Sequence, residues 1–361
     1  MSIVTTFVGL DYHQDSVQIC ILDSHGNVLT NRSVENDEAV IHRVATRHGQ
    51  PRRVAIEACC GAANLAEELV TRRDLPVQLA HPGYVARMKR SPDKSDLSDA
   101  HLLTDLTRVN YLPKVWLAPQ AIRLLRRLMR HRRQLVRRRT DTKLRIRALL
   151  RENRLKWTVA RAWSKPWLAW LSDHAALPDS DRWLLEDHLE ELKSLTTRIK
   201  AVEKRITEAT ADDPVVDKLM SLAGVGLVTA VTLRAEVGRF ERFDTGKQLA
   251  RFCGVTPRNA SSGARQADAG LIKAANPAIR GVLIELAHRL IRMTDEPWAQ
   301  RAARMLQRGK PKNVVVAAIA NRWVRWLHHE LRRNESTLTE STSAQAQQKG
   351  AAPSDSTAAS T

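Results

Sequence analysis

The chain has 361 residues, 43% hydrophobic and 27% charged, with 58 Lys and Arg against 39 Asp and Glu, a formal charge of +19 and a pI near 10.4. At roughly 100–200 residues per domain this is enough for two or three domains with real cores. The basic excess points to a polyanionic partner, because neutralising phosphates releases counterions. There is no run of about 18 apolar residues and no signal-peptide pattern, so a soluble, cytoplasmic protein with no membrane partner is expected. Cys20, Cys59, Cys60 and Cys253 lack zinc spacing and read as small buried apolar residues in a reducing compartment.

From the N-terminus, an apolar run ends in Asp11, an alternating stretch covers Val17 to Leu22, Ser-His-Gly-Asn makes a turn, and a short strand follows at Val28–Leu29. This is a β-meander. Residues 39–48 read as helix, Arg53–Ile56 as a strand ending in Glu57, Asn64–Arg73 as helix and Val77–Ala80 as a strand. Helical periodicity resumes near Ser95. Three antiparallel strands followed by alternating helices and strands predict an α/β domain with a mixed sheet over residues 1–118.

Residues 119–212 have a different character. Ile122, Leu125, Leu128, Leu135, Ile146, Leu149 and Leu150 keep rough helical spacing, and arginines fill most positions between them, Arg126, Arg130, Arg133 and Arg137 included. Like charges so dense destabilise an isolated helix. A solvated face is the plain explanation and a nucleic-acid backbone the stronger one. Residues 157–180, with several Trp and Pro, read as irregular. Trp183 to Ala209 is a second amphipathic helix, and the two helices predict a coiled-coil-like arm. A mainly helical domain is expected over 213–333. Within it, Gly224-Val225-Gly226 joins two helices in a helix-hairpin-helix pattern, whose glycines let backbone approach a phosphate at a helix N-terminus; such turns also simply join packed helices. Residues 334–361, rich in Ser, Thr, Ala and Gln, are expected to be disordered.

Asp11 and Glu57 each end an apolar strand, and Asp96 and Asp99 share one helix face three residues apart. Singly, each acid has a structural explanation: Ser95 as a helix cap with Asp96 supporting the dipole, Asp11 closing a turn. Together, four carboxylates at one sheet edge call for divalent cations. All-oxygen ligands favour Mg2+ or Mn2+, and two such ions can clamp the attacking and leaving oxygens of a phosphodiester. Farther on, Ser261 and Ser262 precede Gly263 among Arg258, Arg265, Lys273 and Arg280. A serine hydroxyl can attack phosphorus when cations hold the phosphate, but no histidine nearby offers a base. By composition alone the stretch is a turn.

These pieces in their order resemble one family: VGLD at 8–11, VAIEA at 54–58, KSDLSDAHLL at 94–103, LAGVGLVTA at 222–230, TGKQLARFCGVTPRNASSGARQADAGLIKAANPAIR and KPKNVVVAAIANRWVRWL. The family is that of the DEDD-type insertion-sequence transposases, the insertion-sequence one-ten family, also called bridge-RNA-guided recombinases. The resemblance implies a RuvC-like N-terminal domain with an RNase H-type fold, in which Asp11, Glu57, Asp96 and Asp99 hold magnesium. It implies a C-terminal transposase domain whose Ser-x-Gly serine is Ser261, with Ser262 second. It further implies a homo-oligomer, dimer or tetramer, in which acids and serine meet between subunits. DNA, donor and target, would be paired with a noncoding guide RNA, and the Arg-rich helix would contact the RNA or DNA backbone. The chain departs from the family at Ala58-Cys59-Cys60-Gly61, where a Gly-Gly-aromatic run is usual, and at Lys273-Ala274-Ala275-Asn276, where Lys-x-Gly-Asn is usual. Two other functions fit the same residues: a structure-selective nuclease that uses only the carboxylates and water, and a non-catalytic nucleic-acid binder.

Overall fold

A computed structural model describes residues 4–89, 95–157, 160–173, 175–260, 268–272, 275–293 and 296–349. The chain divides into two compact units, Met1–Arg123 and Leu124–Thr361. Among the described residues, no helix is long and apolar enough to cross a membrane.

The first unit is built in chain order from β1 (Phe7–Tyr12), β2 (Ser16–Leu22), β3 (Val28–Glu35), α1 (Glu38–Ala45), β4 (Arg53–Glu57), α2 (Ala62–Arg73), β5 (Val77–Ala80), α3 (Pro82–Met88), α4 (Asp96–Arg108) and β6 (Lys114–Val115). Its six strands lie in the order β3-β2-β1-β4-β5-β6. The meander is antiparallel, β4 runs parallel to β1 and β5 to β4, and β6 is antiparallel to β5. The expected mixed sheet is therefore present. β3 is longer than its two apolar residues suggested, because it is an edge strand with mostly polar, solvent-facing side chains.

Strand alternation sorts the residues between two faces. Val8, Leu10, Val54 and Ile56 join Ile41, Val44, Leu65 and Leu69 in a core under α1 and α2. On the opposite face Ala55 and Ala80 pack with Val85 of α3 and with Leu103 and Leu106 of α4. Asp11 and Glu57 share the parity of Gly9 and Ala55, so both belong to the α4 face.

The second unit holds all but the first four residues of α5 (Gln120–Glu152), then α6 (Lys165–Asp173), α7 (Asp179–Ala209), α8 (Pro214–Met220), α9 (Leu227–Val237), α10 (Gly246–Phe252), β7 (Pro257–Asn259), β8 (Asp268–Leu271), α11 (Pro277–Arg292), α12 (Pro297–Gln307) and α13 (Lys312–Lys349). α5 and α7 are antiparallel: Arg132 Nε donates to Glu203 Oε1 at 2.8 Å and Thr142 Oγ1 to Glu191 Oε2 at 2.9 Å, while Asn153 bonds Asp181. Numbers rise along one helix as they fall along the other. α7 buries Leu185, Leu195, Ile199, Val202 and Ile206, the seam of a coiled coil.

Three expectations are corrected. Residues 157–180 are not wholly irregular: α6 buries Trp167 and Leu171 beside Trp157, Trp163 and Trp170, a cluster whose bulky rings obscure helical periodicity. The helix expected to stop near residue 333 continues to Lys349, since the stretch from Asn334 to Lys349 contains neither Gly nor Pro. Cys20 and Cys253 are buried as expected, but Cys59 and Cys60 are exposed, because they follow the end of β4 in the turn leading to Gly61.

Candidate active site

The site forms where β1, β4 and α4 meet. Register pairs Leu10 with Ile56, so the next step along both parallel strands sets Asp11 beside Glu57. Gly9 lets α4 reach this surface: a β-carbon there would overlap Thr104 Oγ1 and the carbonyl of Ala100. Asp96 lies one helical turn before Ala100, and Asp11 lies two strand residues beyond Gly9. Both displacements are about 6–7 Å, and the two carboxylates therefore arrive together. Ser95 occupies the N-cap position of α4 but its side chain makes no cap hydrogen bond.

One oxygen each of Asp11 and Asp96 and a ring nitrogen of His13 lie within 4.8 Å of one another. His13 Nε2 stands 3.4 Å from Asp11 Oδ2 and 3.3 Å from Asp96 Oδ2. The turn that carries His13 is held by Asn36, whose Nδ2 donates to the carbonyls of His13 and Gln14, each at 3.0 Å. Burial pushes the Asp11 carboxyl above its ordinary range; the charge of His13 opposes the rise, and the charges of Asp96 and Asp99 add to it. Asp99 is thus close enough to act on Asp11, although its Oδ2 takes the Lys89 Nζ at 2.6 Å. Two carboxylates and an imidazole with mutually repelling acids are a donor set that fits a divalent cation.

His13 and Lys89 were not anticipated from sequence. His13 does stand two residues after Asp11, a signal of the right parity. Lys89 follows α3, a helix that the sequence did not reveal.

Two family models match this chain. One, a "Transposase" model of the DEDD and IS110 type, covers residues 8–154. The other, "Transposase IS116/IS110/IS902 family", covers residues 216–303. A "Probable family 20 transposase" of Pseudomonas aeruginosa is 31% identical over 334 residues, 89% of this chain and 95% of the relative. The chain belongs to this family of insertion-sequence transposases. The "Transposase for insertion sequence element IS1111A" of Coxiella burnetii is 28% identical, over 88% of each chain. A Yersinia enterocolitica transposase for IS1328 is 25% identical, over 89% of this chain and 95% of its own.

The other residues that the sequence singles out in this transposase fall into three groups. Ser261, Ser262, Arg265 and Lys273 lie outside the described residues; β7 and β8 bracket the first three in the chain, and Pro257 pairs with Leu271. Arg130, Arg133, Arg137 and Arg258 are exposed. Arg126 and Arg280 are engaged within the fold: Arg126 Nε donates to Ala235 O and Arg280 donates to Ile272 O, both at 2.7 Å. The glycines of the α8–α9 turn divide likewise. Gly224, at φ +74°, packs toward Leu286 and Leu290 and its carbonyl accepts from Arg289 Nε at 2.9 Å. Gly226 stands at the N-cap of α9 with open space where a β-carbon would go.

Proposed function

We propose that the chain cleaves and exchanges DNA strands for its insertion sequence through a serine nucleophile assisted by divalent cations. The observation that carries this is the convergence of Asp11 and Asp96, with the charge of Asp99 acting on Asp11, on the α4 face of the sheet. Asp11, Glu57, Asp96 and Asp99 would hold Mg2+ or Mn2+ in a RuvC-like, RNase H-type fold. His13 adds a nitrogen donor, which suits Mn2+ better than the strictly oxygen-loving Mg2+. Bound there, the cations would lower the pKa of the attacking hydroxyl and clamp the oxygens of the scissile phosphate.

Ser261 Oγ gives up its proton and bonds to phosphorus as the bond from phosphorus to the leaving sugar oxygen breaks, and that oxygen takes a proton. The resulting phosphoserine ester retains the bond that a second strand's hydroxyl then attacks to complete exchange. Ser261 and the acids would come from different protomers of a dimer or tetramer, which supplies the base that the serine segment lacks. Arg130, Arg133, Arg137 and Arg258 would hold phosphates, and the N-H groups opening α9 at Gly226 would approach another. A noncoding RNA of the element would read donor and target DNA by pairing.

The test uses donor and target DNA bearing the element's ends, with RNA copurified through a high-salt wash. The wild-type chain should give exchanged strands and a covalent protein–DNA ester. Asp11→Asn and Ser261→Ala should each abolish both. Cleavage retained by Ser261→Ala would show a water-using nuclease instead, and no product from any form would leave a binder. One discrete transcript in the washed complex supports RNA guidance; a smear argues against it.

A further inference from the structure

A second site lies in the second unit, between α12, α13 and the turn before α9. It is a cavity of about 590 Å³, within the range of small-ligand sites. Along α13, Arg322, Arg325, Trp326 and His329 line it, at spacings of three, four and seven residues, one stripe of the helix. Trp323 on the same helix is buried and lines the cavity as well, while Val324 and Leu327 are buried and do not line it. Across the cavity α12 presents Trp298, with the Arg301 guanidinium 5.8 Å from its ring centre. Trp298 and Trp326 stand edge to face, centroids 5.9 Å apart, and Trp326 keeps 37% of its surface exposed. Among the described residues, no carboxylate forms an ion pair with Arg301, Arg322 or Arg325.

Trp326 keeps an exposed ring surface on which a flat group can stack, and three guanidiniums with no carboxylate in ion-pair contact call for an anion. One ligand unit supplies both: a nucleobase to stack, with its own phosphate beside it. We propose that this cavity binds an unstacked nucleotide of a single strand, its base on Trp326 and Trp298 and its phosphate on Arg322 and Arg325. Glu296, also in the lining, can accept from the exocyclic amine of a base. The cavity lies wholly in the second unit and uses none of the carboxylates of the first, so its failure and that of the cleavage chemistry are separate results.

The test uses the full chain, stripped of nucleic acid by nuclease and high salt. The probes are short single-stranded DNA and RNA oligonucleotides carrying one 2-aminopurine, and matching strands with an abasic position. Stacking should quench 2-aminopurine on binding. Trp326→Leu should relieve the quench and weaken binding about ten-fold or more, while Trp326→Tyr, which keeps a stacking ring, retains most of both. The abasic strand should bind the wild type as weakly as the intact strand binds Trp326→Leu. Arg322→Gln with Arg325→Gln should weaken binding and flatten its salt dependence, but leave the quench at saturation. The stronger response, DNA or RNA, names the strand. Equal quench and affinity in wild type and Trp326→Leu, or equal affinity for the abasic strand, would overturn the proposal. A Trp326→Leu chain with altered circular dichroism hands the same decision to Trp298→Leu.

Discussion

Gly9 of β1 lies so close beneath the carbonyl of Ala100 that no β-carbon fits between strand and helix. That approach positions the first turn of α4, and with it Asp96 and Asp99, over Asp11. The small residue acts on the site without touching it.

Gly9→Ala should therefore push α4 off the sheet. The obstacle is partly backbone, which cannot rotate away, so a loss of about 1–3 kcal/mol or more is expected, together with weakened binding of Mn2+. Thermal melts and calorimetric Mn2+ titration read the two effects. Gly281→Ala is the control: Gly281 lies inside α11 with open space around it, and alanine there should stabilise by about 0.5–1 kcal/mol.

Asp11 carries a stability cost of its own. Its folded pKa lies above the unfolded value because burial disfavours the charge. The protonated form thus favours folding fully below about pH 4, and that contribution is lost as pH rises through the folded pKa. Without divalent ions, Asp11→Asn should melt at or above the wild type near neutral pH, and the wild type should lose ground to it as pH rises from about 4. Saturating Mn2+ should raise the wild-type melting point by a few degrees, as expected for about 100-fold excess over Kd, and leave that of Asp11→Asn nearly unmoved.

Lys89 competes for Asp99. With Nζ at 2.6 Å from Asp99 Oδ2, it holds a carboxylate that a cation at the site would also draw. Lys89→Met should tighten divalent binding several-fold in the protein without nucleic acid. Unchanged or weaker binding in a titration would mean that Lys89 and the cation do not share Asp99.

The arginines of α5 should separate by partner. Arg130, Arg133 and Arg137 are exposed, whereas Arg132 is paired with Glu203 across the arm. Replacing the first three with Gln should flatten the slope of log K against log salt by about 0.9 for each phosphate of duplex DNA that is no longer neutralised, with little change in melting temperature. Arg132→Gln should instead destabilise the arm by roughly 0.5–1 kcal/mol and barely alter the slope.

Much of the first unit was legible in the chain because its determinants are local. Alternation marked β2, short apolar runs marked β4 and β5, and an acid closing each of two apolar strands marked Asp11 and Glu57. The D-x-x-D spacing placed Asp96 and Asp99 on one helix face. Edge strand β3 was read only as far as Leu29, and two-residue β6 and helix α3 escaped notice, since solvent-facing or very short elements carry little apolar pattern. The family was legible too, from the order of several short motifs, and the comparisons place the chain in it.

Other relationships were decided only by tertiary structure. Which arginines face solvent depends on where α5 packs: Arg126 reaches the end of α9 at Ala235, while Arg130, one turn farther along the same helix, stays exposed. His13 joins Asp11 and Asp96 because a turn fixed by Asn36 brings it back over the strand end. Lys89 reaches Asp99 from a helix with no sequence signal. The Trp–Arg cavity unites α12 with a stripe of α13 that in sequence is only a basic amphipathic helix. Periodicity states which side of a helix or strand a residue occupies, and hydrophobicity states which side is buried. Neither states what stands opposite, because that follows from how whole elements pack across tens of residues.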